Sequence, residues 1–222
     1  ALLRMLYTVF WSGQEAWGQI LAVLAAATLL YGNLAAIPQT NIKRLLGYSS
    51  IGHAGYLLMG LSSASWAGAQ AVGYYLLAYM VSNLAVLFVV VVASQAVGDK
   101  LEDYNGLAKR SPLLAATLFI GLLSLAGVPP LAGFVGKLLV LLATVQDGQM
   151  WLVGIGAAMV AVSLYYYLMV VRRMYLYQPT SPAAIPVDAL TRFALLALIG
   201  AILAVGIVQE PFLRALSAAI QF

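Results

Sequence analysis

The feature that most constrains this chain is an apolar run over residues 111–146 that carries a single charge, Lys137. A membrane-spanning helix needs about 20 apolar residues, and this run is almost twice as long. Pro129 and Pro130 lie in its middle, where they cannot donate backbone hydrogen bonds and push the preceding residue out of the α region. The sequence therefore predicts a membrane helix that is broken at Pro129-Pro130 into two halves, residues 112–125 and 131–145.

The lysine of this broken helix lies deep in the predicted membrane. At about 1.5 Å per residue, Lys137 is roughly 13 Å inside the outer end of the second half, close to the midplane. A charge at that depth costs about 2.5–3.5 kcal/mol, so we expect it to face a polar cavity or a partner. Transporters combine broken helices with ion sites. We predict such a site at Lys137, with Gly127, Pro129, Pro130 and Gly133 forming the break. The alternative is a Pro-kinked helix whose lysine reaches an interface.

The composition places the chain among all-α polytopic membrane proteins. Hydrophobic residues make up 64% of the sequence, charged residues 8%, and the mean hydropathy is +0.97. We predict one membrane domain over residues 1–222, with the end of one helix followed by six full transmembrane helices: 18–37, 45–61, 70–93, the broken helix, 150–171 and 191–208. Residues 95–111 are predicted to form a short helix or turn at the membrane surface, 175–190 an irregular loop, and 210–222 an amphipathic tail. The chain begins inside an apolar segment without an initiator Met, so we expect the natural protein to extend further in that direction.

The distribution of basic residues predicts the orientation. One side collects Lys43, Arg44, Lys100, Lys109, Arg110, Arg172, Arg173 and Arg192, whereas the opposite loops have no Lys or Arg before Arg214. The positive-inside rule makes the basic side cytoplasmic and puts the C-terminus on the non-cytoplasmic side. The net charge of +4 follows from these loops and does not indicate nucleic-acid binding. The chain has no cysteine and a single histidine, so we predict no metal site and no cofactor on it.

Several polar side chains lie inside the predicted spans. His53 is near the midplane, and Ser49 and Tyr56 share its helix face. A histidine passes protons through either ring nitrogen, so His53 and Lys137 are candidates for a proton relay. The alternative for His53 is a hydrogen bond between helices. A further polar face carries Tyr75, Tyr79, Ser82 and Asn83, and either ordered water or contacts between helices would explain it.

Two other groups are predicted to serve mainly as contacts with the membrane interface. Lys43 lies at the inner edge of its helix, where anchoring is the favoured interpretation and a role as an ion entry or exit point is the weaker one. The run Tyr165-Tyr166-Tyr167 is predicted to pack at the membrane interface.

Two motifs resemble a known family. Residues 41–56 (NIKRLLGYSSIGHAGY) and 124–137 (SLAGVPPLAGFVGK) are similar to two signatures of the antiporter-like membrane subunits of respiratory complex I, whose relatives include Mrp-type sodium/proton antiporters. Within that family the first motif is most similar to the subunit N type of bacterial NADH–quinone oxidoreductase. The resemblance implies a 14-helix protein of two inverted five-helix repeats, of which this chain covers the end of the eighth helix to the fourteenth.

The resemblance also implies a function. Lys137 matches the proton-carrying lysine of the family's second half-channel, and His53 falls at a polar position of the tenth helix that varies between members. NADH, FMN, iron–sulfur clusters and quinone would then bind other subunits, and the partners would be other antiporter-like membrane subunits in a bacterial inner membrane. The family's first half-channel has no counterpart in these 222 residues. An Mrp-type cation/proton antiporter subunit and a purely structural membrane subunit remain as alternatives.

Overall fold

The computed structural model describes residues 2–179 and 183–219, apart from the side chains of Leu2 and Arg4. Within this part of the chain the fold is helical and has no β-strand. The α-helices are α1 Leu2–Thr8, α2 Gln14–Ala36, α3 Ile42–Ser62, α4 Trp66–Val97, α5 Leu107–Arg110, α6 Pro112–Ala126, α7 Ala132–Gln146, α8 Met150–Leu176, α9 Ala189–Ile207 and α10 Glu210–Ala219. Short 3-10 helices at Trp11–Gly13 and Leu101–Tyr104 lie between them.

Four helical segments of the described chain are long and apolar enough to cross a membrane: Trp11–Ala36, Trp66–Val97, Met150–Leu176 and Ala189–Ile207. The prediction of a multi-pass helical membrane protein is thereby confirmed. Helices α6 and α7 are apolar but have 15 residues each. Helix α3 has 21 residues and carries Lys43, Arg44 and His53. The predicted total of six full spans needs α3 and the α6–α7 pair as well, so that number stays a prediction.

The broken helix is confirmed. Its halves α6 and α7 end one residue beyond the predicted 125 and 145, and the break occupies residues 127–131. Helix α4 is longer than predicted, because Ser65 caps its start by accepting a hydrogen bond from the Gly68 N–H at 3.0 Å. It ends at Val97, because the following residue, Gly98, has a φ of 108°, outside the helical range.

Helix α4 runs through the centre of the fold. It packs against α3, α6, α7 and α9, which brings α3 and α7 into contact beside it. Helices α2 and α3 approach closely where Gly32 faces Gly52, since a Cβ on Gly32 would lie 2.3 Å from the Gly52 nitrogen. These contacts place polar residues of α2, α3, α4, α7 and α8 in one interior.

The predicted short helix or turn forms as a 3-10 helix followed by α5, and its location at the membrane surface stays a prediction. Its apolar residues Leu101, Tyr104 and Leu107 are buried. Backbone hydrogen bonds from Ile42 N to Asp99 O (2.9 Å) and from Leu101 N to Thr40 O (2.8 Å) fasten the segment to the start of α3. The charged loop and the α3 N-terminus therefore form one unit.

The C-terminal part has the predicted elements with different bounds, since the helix predicted to end at 171 extends five residues further and the one predicted to begin at 191 begins at Ala189. Helix α8 continues to Leu176, and residues 183–188 are not helical. Helix α10 packs Phe212, Leu213 and Leu216 against the cluster between α4, α7 and α9, which confirms an amphipathic tail. The predictions for residues 180–182 and 220–222 lie outside the described residues.

Candidate functional site

The site is built around the break between α6 and α7. Gly127 ends α6 in the left-handed region, with φ of 90°, and its N–H donates to the carbonyls of Leu123 (3.1 Å) and Ser124 (3.0 Å). Glycine takes up this conformation without the steric cost that a Cβ would add. Pro129 and Pro130 then carry the chain across to Leu131. The C-terminal end of α6 and the N-terminal end of α7 thus lie close together inside the fold.

A serine and a glycine hold the two halves together. The Oγ of Ser124 accepts a hydrogen bond from the Gly133 N–H at 3.1 Å and lies 2.7 Å from the Oγ of Ser82 on α4. A Cβ on Gly133 would lie 1.8 Å from the Ser124 carbonyl oxygen. The close approach of α7 to α6 therefore requires glycine at position 133.

Lys137 projects from α7 back to the end of α6. Its Nζ donates to the Ala126 carbonyl at 2.8 Å and to the Ser163 Oγ of α8 at 3.2 Å, and it lies 5.1 Å from the centroid of the Tyr56 ring. The residue is 3% exposed. A carbonyl at a helix C-terminus is negatively polarised, which stabilises an ammonium group beside it. The lysine is thus held by neutral groups at the broken end of α6.

No carboxylate pairs with Lys137 among the described residues, whose ion pairs are Lys43–Asp99 and Arg214–Glu210. Groups of three or more metal-ligating side chains are also absent from this part of the chain. The Lys137 site therefore contains one ionisable amine among hydroxyl, carbonyl and aromatic groups.

His53 is held by both ring nitrogens. Its Nδ1 lies 2.6 Å from the Tyr75 hydroxyl and its Nε2 lies 3.2 Å from the Tyr167 hydroxyl. The Tyr79 ring packs against the imidazole at 4.6 Å between centroids. His53 is 5% exposed, so these contacts replace solvent.

A small cavity joins His53 to Lys137. It has a volume of about 10 Å³, at the lower limit of the space that one water molecule needs. Its lining combines those two residues with hydroxyls and apolar groups: Tyr75, Ala78, Tyr79, Ser82, Ser124, Leu125 and Gly133. The sequence could not show that α3 and α7 are neighbours, and both helices contribute residues to this cavity.

The other polar residues predicted for the site differ in their contacts and in whether they line the cavity. Ser49 is buried and bonds the Tyr167 hydroxyl, one turn from His53. Tyr56 donates to the Gly156 carbonyl at 2.8 Å. Asn83 is half-buried and does not line the cavity, whereas the preceding residue, Ser82, does.

Lys43 lies apart from this interior. Its side chain is half-exposed, and its Nζ is 2.7 Å and 2.9 Å from the two carboxylate oxygens of Asp99. The ion pair joins the start of α3 to the charged loop. This location fits the anchoring interpretation, and Lys43 does not reach the cavity that His53 and Lys137 share.

The prediction that the three tyrosines of α8 pack at an interface is wrong for two of them. Tyr165 is exposed, but Tyr166 and Tyr167 are buried, with Tyr166 donating to Asn33 Oδ1 at 3.1 Å. Sequence reasoning missed Asn33 and Ser163 as well. The signal that could have found this face is the helical spacing of Ser163, Tyr166, Tyr167, Val170 and Met174, all of which are buried.

Comparison with known proteins supplies a family. A family model described as NADH:quinone oxidoreductase/Mrp antiporter, TM, matches residues 1–163. The chain is 44% identical over 221 residues to NADH-quinone oxidoreductase subunit N of Desulforamulus reducens, an alignment that covers 99% of this chain and 46% of that protein.

Solved structures show the same fold. A chain of respiratory complex I from Thermus thermophilus with bound aureothin matches with a TM-score of 0.77 and 35% identity, over 90% of this chain and 46% of that one. A chain of an archaeal membrane-bound sulfane sulfur reductase matches with a TM-score of 0.89 and 28% identity, over 99% of this chain and 45% of that one. The chain therefore spans about half the length of the proteins it matches.

Proposed function

Because the chain belongs to the NADH:quinone oxidoreductase/Mrp antiporter family of transmembrane subunits, we propose that it is a proton-translocating membrane subunit of an NADH–quinone oxidoreductase. Lys137 is the observation that carries this proposal, since a 3% exposed ammonium group is held by a carbonyl and a hydroxyl beside a cavity. Lys137 takes up and releases the transported proton. His53 exchanges it across the cavity.

The neutral surroundings of Lys137 suit this role. An adjacent carboxylate would stabilise the ammonium form and hold the proton. The Ala126 carbonyl and the Ser163 hydroxyl hydrogen-bond the charged amine without that full counter-charge. Among the described residues no carboxylate balances the charge of this lysine, so its protonation responds strongly when another charge appears or disappears nearby. The reason is that Coulomb interactions are stronger in the protein interior than in water.

The remaining assignments follow from the family and the sequence. The domain is one membrane unit equivalent to the end of the eighth helix through the fourteenth of a 14-helix subunit, and α3 and the α6–α7 pair complete six full spans. The basic loops face the cytoplasm, and the C-terminus lies outside a bacterial inner membrane. Electron transfer takes place on other subunits, which bind NADH, FMN, iron–sulfur clusters and quinone. Other antiporter-like membrane subunits are the partners.

The proposal is tested by Lys137→Ala in the native complex, with NADH oxidation and proton uptake measured together in sealed vesicles. The expected result is an assembled complex that pumps fewer protons per NADH oxidised. Lys109→Ala is the matched control, because Lys109 is a lysine of the charged surface segment that bonds Gln178 outside the site. Unaltered pumping by an assembled Lys137→Ala complex would overturn the proposal and favour the structural subunit.

The two candidate site residues are ranked by a second variant. His53→Ala leaves Lys137 and its hydrogen bonds in place, so the loss of pumping is expected to be smaller than in Lys137→Ala. A larger loss in His53→Ala would reverse the ranking.

An Mrp-type cation/proton antiporter subunit is the second candidate, because the family model covers both groups. It predicts cation-driven proton exchange that is independent of NADH. Purification of the native complex separates the two functions, since co-purifying NADH oxidation supports the first and its absence, with sodium-driven exchange, supports the second.

A further inference from the structure

Six buried polar side chains on four helices form a continuous hydrogen-bonded chain around His53. In the order of their hydrogen bonds they are Tyr75 of α4, His53 of α3, Tyr167 of α8, Ser49 of α3, Tyr166 of α8 and Asn33 of α2. The distances are 2.6 Å from Tyr75 Oη to Nδ1, 3.2 Å from Nε2 to Tyr167 Oη, 3.4 Å from Ser49 Oγ to Tyr166 Oη and 3.1 Å from Tyr166 Oη to Asn33 Oδ1. Ser49 and Tyr167 are also hydrogen-bonded. Each of the six residues is at most 5% exposed.

The two ends of this chain lie at different depths. Tyr75 lines the cavity that contains Lys137. Asn33 is three residues before the last helical residue of α2, Ala36. It is thus about one helical turn from the end of α2 that precedes the basic loop carrying Lys43 and Arg44. The chain therefore leads from Lys137 toward the basic side.

The hydroxyls of Tyr75 and Tyr167 differ from those of other buried tyrosines in the same core. Tyr74 donates to the Val205 carbonyl and Tyr56 to the Gly156 carbonyl, and a backbone carbonyl can only accept. Tyr75 and Tyr167 instead bond an imidazole, and Tyr167 also bonds a serine hydroxyl. Imidazole and hydroxyl groups both donate and accept. A buried tyrosine that serves only in packing needs a hydrogen-bond acceptor for its hydroxyl, and a backbone carbonyl provides one. It does not need partners that can pass a proton on, as the partners of Tyr75 and Tyr167 can.

We propose that the hydroxyls of Tyr75 and Tyr167 carry protons through His53 between Lys137 and the basic-side end of α2. This inference rests on the proposed function and names the route to its central lysine. A proton released by Lys137 crosses the cavity and bonds the Tyr75 oxygen as the Tyr75 proton moves to Nδ1. The Nε2 proton then moves to Tyr167, whose own proton moves to Ser49. The Ser49 proton moves to Tyr166, and the Tyr166 proton leaves to a water molecule at the basic-side end of α2, since the Asn33 amide oxygen only accepts a hydrogen bond. Each hydroxyl oxygen gains one proton and loses one, and His53 gains a proton at Nδ1 and loses one at Nε2, so no net charge stays behind.

The arrangement can reset by reversing the direction of its hydrogen bonds. A neutral imidazole donates from one nitrogen and accepts at the other. With the proton on Nδ1, His53 donates to Tyr75 and accepts from Tyr167, and the Tyr75 hydrogen points to the cavity. With the proton on Nε2, His53 donates to Tyr167 and accepts from Tyr75. The tautomer of His53 therefore sets whether Tyr75 offers Lys137 a donor or an acceptor.

The test compares Tyr75→Phe and Tyr167→Phe with Tyr74→Phe in the native complex. All three lose one buried hydroxyl and keep the ring, but Tyr74 lies outside the chain. The expected result is that Tyr75→Phe and Tyr167→Phe each lose as much pumping per NADH oxidised as His53→Ala, whereas Tyr74→Phe keeps the wild-type value. Pumping should also be slower in D₂O than in H₂O for the wild type and Tyr74→Phe, because proton transfer along the chain contributes to the rate.

The outcomes separate this inference from the proposed function. If Lys137→Ala loses pumping while Tyr75→Phe and Tyr167→Phe behave as Tyr74→Phe does, the hydroxyl route is wrong and the function of Lys137 stands. If Lys137→Ala pumps normally, the proposed function itself fails. Should a tyrosine variant not assemble, Ser49→Ala removes the next hydroxyl with a smaller change in volume, and Ser62→Ala, whose hydroxyl bonds Met59 O at the far end of α3, is its control. Normal pumping by Ser49→Ala then contradicts the route.

Discussion

The Nζ of Lys137 lies 2.8 Å from the carbonyl oxygen of Ala126, so the lysine of one half-helix is the hydrogen-bond partner of the last residue of the other. This bond places the ammonium group at the negatively polarised end of α6. It forms only while the two halves keep their present separation. The position of the charge is therefore determined by the packing of α7 against α6 at Gly133, four residues before Lys137.

Replacing Gly133 tests that dependence. In Gly133→Ala the new Cβ would overlap the Ser124 carbonyl at 1.8 Å, so α7 must move away from α6. Overpacking of this kind costs about 1–3 kcal/mol. The expected results are a lower melting temperature of the complex and less pumping per NADH oxidised, because Lys137 is displaced from Ala126.

The control for Gly133 is Gly154→Ala on α8. A Cβ at Gly154 meets nothing within 4 Å, and alanine favours a helix over glycine. This variant should keep or slightly raise the melting temperature and leave pumping unchanged. Equal behaviour of the two glycine variants would show that the separation of the half-helices does not control the site.

The serine pair at the break gives a second prediction. The Gly133 N–H donates to the Ser124 Oγ, whereas Ser82 makes its own bond to the Ala78 carbonyl at 2.8 Å. Ser124→Ala leaves a buried N–H without its acceptor, which costs about 1–3 kcal/mol. Ser82→Ala leaves the Gly133–Ser124 bond intact and should cost less. Thermal unfolding of the two complexes measures the difference, and a larger loss in Ser82→Ala would contradict the order of these bonds.

The broken helix could be predicted from the sequence almost to the residue, because proline geometry and the length of an apolar run act locally. The depth of Lys137 in the membrane was inferred from helical rise alone and stays a prediction. Burial of Tyr166 and Tyr167 could not be predicted in the same way, since consecutive residues of a helix point in directions about 100° apart. Which of the three tyrosines faces inward depends on the neighbours of α8.

The partners of His53 were also beyond sequence reasoning. Tyr75 and Tyr167 are 22 and 114 residues away from it, and they meet because α3, α4 and α8 converge. Asn33 reaches this interior because Gly32 and Gly52 let α2 and α3 approach closely. No periodicity within one helix indicates such an arrangement. The residue types predicted a polar interior, and the packing of the helices decided its connections.

The Lys43–Asp99 pair is expected to contribute little to stability. Both side chains are partly exposed, and pairs of this kind are worth about 0–1 kcal/mol. In a double-mutant cycle with Lys43→Ala and Asp99→Ala, the coupling energy should fall in that range and shrink in high salt. Pumping should stay normal in Lys43→Ala, because Lys43 does not line the cavity. A loss of pumping as large as that of Lys137→Ala would restore Lys43 as an ion entry or exit point.

The start of α9 provides a prediction of pH dependence outside the membrane-spanning segments. Asp188 caps this helix, and the hydrogen bond from Thr191 holds the pKa of its carboxyl below its usual range. A carboxyl with a depressed pKa in the folded state stabilises the helix above the unfolded value of about 4, and this contribution is lost as the pH falls through the folded value.

Hydrogen exchange at the first turn of α9 measures this effect. After correction for the intrinsic exchange rate, protection of the Thr191 amide should be constant near neutral pH and decrease as the solution becomes more acidic than about pH 4. Asp188→Asn retains a side-chain acceptor and should keep protection at all pH values, because asparagine caps helices about as well as aspartate. Asp188→Ala should lose protection already at neutral pH. Acid-sensitive protection in Asp188→Asn would show that another group controls the start of α9.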